Sequence, residues 1–150
     1  MKAHAVAAII FVLFGAYVSW AQETYVGIVK NVTGRVVIER NDTTIAAAPG
    51  TQVQATDRLI SAANSSGGIV FTDGTLLSLG PSSEIDIEHY IFEPNEEQYD
   101  FSLYIKKGSA VYSSGKIGKL APEKIKVKTP RATLGVRGTT FIVDVDSWGG

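Results

Sequence analysis

Downstream of Gln22 strand signals recur at short spacing along this chain, and no stretch carries the 3.6-residue period of a helix. Segments 25–32 and 35–40 are rich in Val and Ile, with Gly34 between them, and Asn41-Asp42 predicts a hairpin turn into a strand over 43–47. Pro49-Gly50 then punctuates the chain, 59–62 reads as a short strand, and 64–68 (NSSGG) reads as the loop that closes it. Segments 69–72 and 75–79 flank Asp73-Gly74, the strongest hairpin signal, for which a type I′ turn with positive φ at both positions is expected. Segment 84–91 (EIDIEHYI) alternates strictly. Ile85, Ile87 and His89 share a face, so burying Tyr90 or Ile91 with the isoleucines calls for a one-residue bulge near His89.

Tyr99, Phe101, Leu103 and Ile105 share another face, and Lys106-Lys107-Gly108 predicts a turn into 110–112. Segment 113–123 reads as a loop, after which Ile125 and Val127 open the last strands. In 129–145 (TPRATLGVRGTTFIVDV) Gly135 and Gly138 bracket Val136-Arg137 at a spacing that suits a tight reversal. Phe141, Val143 and Val145 then face one side of a strand. Many short strands between Gly and Pro turns predict an all-β domain of antiparallel strands, a sandwich, jelly roll or barrel. No fixed-period repeat marks a solenoid.

The first residues have a different grammar. Lys2 is followed by an uncharged apolar run over 5–18, then by Ser19-Trp20-Ala21 and polar Gln22-Glu23. That is the pattern of a secretory signal peptide over 1–21, cut after Ala21. The run is short of the ~20 apolar residues of a membrane-spanning helix. The expected location is periplasmic or secreted, with membrane contact only through an uncleaved leader. Loss of Lys2 with the leader leaves 13 basic against 15 acidic residues, which is not the footprint of a nucleic-acid binder. The absence of Cys removes a thiol nucleophile and a redox pair, and leaves stability to the core.

The order of several segments is recognisable. Asp57-Arg58-Leu59-Ile60-Ser61 comes first, then 73–83 (DGTLLSLGPSS), 103–111 (LYIKKGSAV), Thr129-Pro130, and 136–143 (VRGTTFIV). This order resembles the FecR domain, whose pattern runs from a D-x-I-x-T entry through a DG-[ST]-x-L-x-L-x-P-x-S hairpin and an L-x-x-G-x-[AV] strand to an R-G-T-x-F-x-V ending. The resemblance assigns 57–146 to a FecR-like β domain, with 22–56 as strands that precede it. It implies signalling at the cell envelope, since the best-known members relay receptor occupancy to a cytoplasmic sigma factor. Those regulators carry an anti-sigma segment before a membrane helix and a receptor-facing domain after the FecR domain. Here only Met1 to His4 precedes the apolar run, and the abrupt Trp148-Gly149-Gly150 end suggests a fragment. The resemblance therefore implies the domain, not the full signalling role.

Little in the chain points to catalysis. His89 is the only histidine beyond the leader, and Ser82 or Ser83 lacks a nucleophile turn. Glu84, Asp86 and Glu88, like Asp144 and Asp146, read as solvated strand faces rather than a calcium site or a glycosidase pair. Lys116, Lys119, Lys124, Lys126, Lys128 and Arg131 likewise read as a solvated face beside a loop. Arg137 is the most tempting polar residue, as a bidentate anion ligand or, preferably, a tie for its own turn. With Arg131, Thr139 and Thr140 it makes the candidate interaction or turn-structuring set. No cofactor, metal or nucleic acid is expected. The expected function is that of an exported, non-enzymatic module for protein interaction or envelope sensing, with an envelope protein as partner. The alternative is a glycan- or cell-wall-binding module that uses Tyr90, Phe92, Tyr99, Tyr104, Tyr112 and Trp148.

Overall fold

The computed structural model describes residues 15–17, 24–136 and 138–145; Ala21, Arg137, Asp146 and Trp148 lie outside the described residues. Twelve strands form in chain order: β1 Gly27–Thr33, β2 Val36–Arg40, β3 Thr43–Ala46, β4 Gln52–Val53, β5 Arg58–Ser61 and β6 Ser66–Phe71 come first. They are followed by β7 Leu76–Leu79, β8 Glu84–Glu93, β9 Gln98–Ser113, β10 Ile125–Lys128, β11 Thr133–Gly135 and β12 Thr140–Val145, with one short helix, α1 Lys116–Leu120, after β9. The fold is all-β, and among the described residues no helix is long and apolar enough to cross a membrane.

The strands make one curled sheet whose two arms meet in β9. The first half of β9 lies between β8 and β10, and the second half between β7 and β12. One arm runs β3-β2-β5-β8-β9-β10-β11, and the other β4-β1-β6-β7-β9-β12. Only the β9–β10 pairing is parallel among the described strands. Both arms turn alternate side chains inward onto one core, Ile38, Leu59, Ile85 and Leu103 from one arm and Ile69, Leu77 and Leu79 from the other. Phe71 closes the gap between arms, with its ring centroid 4.9 Å from Phe101 and 5.4 Å from Tyr90. Strands β1 to β4 complete both arms, since β1 flanks β6 and β2 flanks β5.

Several local expectations are met. Asn41 and Asp42 both have positive φ in the β2–β3 hairpin, the type I′ requirement. The ladder of β8 slips between Ile87 and His89, so Tyr90 turns towards the core while His89 is exposed. Phe141, Val143 and Val145 face inward and Ile142 is 75% exposed.

Others are corrected. The Asp73-Gly74 turn is not type I′, because only Gly74 has positive φ, +86°. The Gly74 amide donates to Phe71 O and the Phe71 amide to Thr75 O, which makes a three-residue loop with Gly74 in the left-handed position. Lys106-Lys107-Gly108 is not a turn. β9 runs through it without a break, and Gly108 (φ +86°) bends the strand from one arm to the other. A Cβ on Gly108 would overlap Ser83, so close backbone approach fixes glycine there. Residues 66–68 belong to β6 rather than a loop, and 113–123 holds α1, whose Ile117 is fully buried. The two-residue β4 carries too little pattern to be read from sequence.

Candidate interaction site

The polar residues of the apparent motifs are engaged inside the protein. Asp57 is buried, and its carboxylate accepts from Arg40 Nε at 2.8 Å, Arg40 Nη2 at 2.7 Å and the Gln54 amide at 2.8 Å. Asp73 is 1% exposed and works harder than a turn residue. Its Oδ1 accepts from the Thr75 amide at 3.0 Å and the Tyr90 hydroxyl at 3.1 Å. Its Oδ2 accepts from Thr75 Oγ1 at 2.8 Å and the Ile117 amide at 3.1 Å, and its carbonyl from the Lys116 amide at 2.8 Å. One carboxylate thus ties the β6–β7 hairpin to β8 and caps α1 from 44 residues away in sequence. Burial pushes the Tyr90 phenol well above its ordinary range.

Ser83 is also buried, so it is not a poised nucleophile. Its Oγ accepts the Ser109 amide at 3.0 Å, and its amide donates to Ser61 Oγ at 2.9 Å, beside the Gly108 bend. Burial raises the Tyr112 phenol too; the Thr75 and Ser114 hydroxyls lie near it, but neither meets it in hydrogen-bond geometry. The Tyr112 hydroxyl is the one buried side-chain polar atom with no hydrogen-bond partner among the described residues.

The outer face of the first arm carries a ladder of mutual ion pairs. Arg58 meets Asp86 at 2.6 Å and Glu84 at 3.4 Å, and Lys128 meets Glu88 at 2.8 Å. The Lys128 ammonium holds the Glu88 carboxyl below the usual carboxylate range, in spite of partial burial. An open depression of about 620 Å³ crosses this face, but its Arg58, Asp86 and Glu88 already face opposite charges.

A second depression, of about 800 Å³, is different in character. It lies where α1 and the segment after it meet β10 and β11. Ile125 and Val136, both buried, are in its floor, and Pro122, Lys126, Leu134 and Gly135 are in its walls. Of the chain's 14 basic and 15 acidic residues, 116–131 holds six basic residues and only Glu123. Lys128 is paired with Glu88, whereas no ion pair engages Lys116, Lys119, Lys124 or Lys126 among the described residues.

Of the candidate set from sequence, Arg131, Thr139 and Thr140 do not line this cleft. Arg137 lies outside the described residues. Thr139 accepts the Ser114 amide through its carbonyl at 2.7 Å, and Thr140 Oγ1 lies 3.2 Å from Ser113 Oγ. Both hold the start of β12 against β9. Arg131 is exposed on the β10–β11 turn, at the other end of β11, where its amide meets Thr129 Oγ1 at 3.4 Å. Lys126 and Leu134 line the cleft, yet the sequence presents them only as part of a solvated face and of a turn-rich segment. The signal for Lys126 is the charge bias of 116–131, and none marks Leu134. Tyr90 packs edge-on and Tyr112 tilted against core Phe101, so those two tyrosines do not serve a surface platform. No group of three His, Asp or Glu side chains converges as a metal site among the described residues.

The FecR protein family model matches residues 57–149, well over half of the chain. The chain belongs to the FecR family. The FecR domain links it to signalling and sensing. The matched stretch begins at buried Asp57 and takes in the Asp73 hub, the Gly108 bend and the cleft around β11. No curated protein and no solved structure matches the chain.

Proposed function

We propose that this FecR protein is an exported, non-enzymatic module that works by binding another protein at the cell envelope. The observation that carries this reading is the contrast between motif and rim. Asp57, Asp73, Thr75 and Ser83 have internal partners, whereas the cleft beside β11 combines an apolar floor with Lys126, which has no ion pair among the described residues, in a lysine-rich surrounding. Such a surface suits recognition better than bond chemistry, for which it offers no base and nucleophile in mutual reach. Export rests on the leader grammar of residues 1–21. The glycan-binding alternative draws less support, because Tyr90 and Tyr112 are committed to ring contacts in the core.

Site-specific photo-crosslinking in the native host tests the reading. A photoreactive residue at Leu134 is expected to give a discrete protein adduct in the envelope fraction, and one at Asp42 is expected to give none. Retention of the chain in the cytoplasm, or the same adducts from both positions, would contradict it.

A further inference from the structure

We propose that the cleft takes an acidic polypeptide segment in extended conformation, added as a new strand along the free edge of β11. The proposal rests on the protein-binding reading above and names the chemistry of the partner.

Four observations converge on it. First, β11 pairs only with β10 among the described residues, and Thr133, Leu134 and Gly135 are all exposed. The far side of such a strand presents backbone N–H and C=O groups at strand spacing, a template for another chain. Second, glycine at 135 answers no need of the domain itself. Its φ is not positive, and a Cβ there would meet open space. Gly138 across the same cleft is set by its own φ of +121°, which leaves Gly135 to carry the inference. The bare backbone of Gly135 lets an incoming main chain approach closely.

Third, the cleft has an apolar floor in Ile125 and Val136, with Leu134 40% exposed at its wall. A bound strand sends alternate side chains down onto such a floor and up to its rim. Fourth, the surroundings are positive: Lys126 lines the cleft beside the single acid Glu123, and Lys116, Lys119 and Lys124, on the segments that border it, have no ion pair among the described residues. Alternating apolar and acidic residues in the partner match both features. A polypeptide fits better than an anionic lipid surface, which would use the charge but neither the strand edge nor the depth of the cleft.

The test is a titration of the isotope-labelled full chain with synthetic eight-residue peptides, followed by amide chemical shifts. The probe alternates Val and Glu. One control alternates Val and Lys, a second carries Pro at two central positions, and phosphatidylglycerol vesicles form a third arm. The Val–Glu peptide is expected to shift the amides of 133–135 and Lys126. The Val–Lys and Pro peptides are expected to bind at least about tenfold more weakly. Gly135→Thr is expected to abolish the shifts while its thermal unfolding stays at or above that of the parent. Should that variant misfold, Lys124→Glu with Lys126→Glu gives the same loss through charge alone.

Equal binding of the Pro peptide would overturn strand addition. Vesicles that shift the same amides when the peptide does not would assign the patch to a membrane surface. Concentration-dependent shifts without any peptide would assign it to a second copy. No shift of 133–135 at millimolar peptide would end the proposal. None of these outcomes touches export or crosslinking from other surfaces, so the broader reading fails or survives separately.

Discussion

The Asp73 hub and the β11 rim are both polar, turn-rich and inside the FecR match, yet they spend their polar groups in opposite ways. Around Asp73 every carboxylate lone pair faces a donor, and the donors come from a hairpin, a neighbouring strand and a helix start. At the rim, among the described residues, the strand edge is open, the lysines around it have no ion pair, and Gly135 faces empty space. The difference teaches that a family motif in this domain is in large part a folding device. The polar residues that look most like chemistry are buried to hold the arms together. The surface with capacity for a partner lies in the less distinctive lysine-rich stretch.

The largest effect should come from the hub. Asp73→Ala leaves the Thr75 and Ile117 amides and two hydroxyls without their acceptor, and should cost about 4 kcal/mol. Urea unfolding measures this, and a loss below ~1 kcal/mol would show that the hub is not what joins the arms. Next comes the bend. Gly108→Val places a branched side chain at φ +86° against Ser83 and should cost about 3 kcal/mol. An equal loss for Gly135→Val would erase the contrast between bend and rim.

Smaller effects sharpen the same contrast. Glu88 is held below its ordinary carboxylate range by Lys128, so its contribution is present above the unfolded-state pKa and is lost as pH falls through the folded one. Both partners are partly solvated, which limits the contribution to under ~1 kcal/mol. Glu88→Gln should therefore flatten the acid limb of stability against pH and change little at neutral pH. The smallest effect is Tyr112→Phe. Removal of a buried hydroxyl with no partner should leave stability within about 0.5 kcal/mol or raise it. A loss beyond ~1 kcal/mol would reveal a hydrogen bond there after all.

The fold class was legible because inward residues such as Ile85, Ile87, Phe101 and Leu103 keep strict alternation. The β8 bulge was legible too, since Tyr90 and the isoleucines demanded one face. Gly108 was misread because a positive-φ glycine after two lysines has the same local signature in a turn as in a bend within a strand. Only the packing of Ser83 against it decides between them, and that contact is 25 positions away in the chain. Asp73 as a cap for α1 was hidden for the same reason, because its partner Ile117 is 44 residues downstream. The cleft depends on which segments surround β11, and no periodicity records that. The charge bias of 116–131 was visible in the sequence, but its meaning came only with the unpaired edge beside it.

Amide hydrogen exchange of the full chain tests the central contrast most directly. The account predicts that the Thr75 and Ile117 amides, which donate to Asp73, exchange only through global unfolding. At least part of the Thr133–Gly135 edge should exchange orders of magnitude faster. Protection of β11 equal to that of β9, or fast exchange at Thr75 and Ile117, would contradict it.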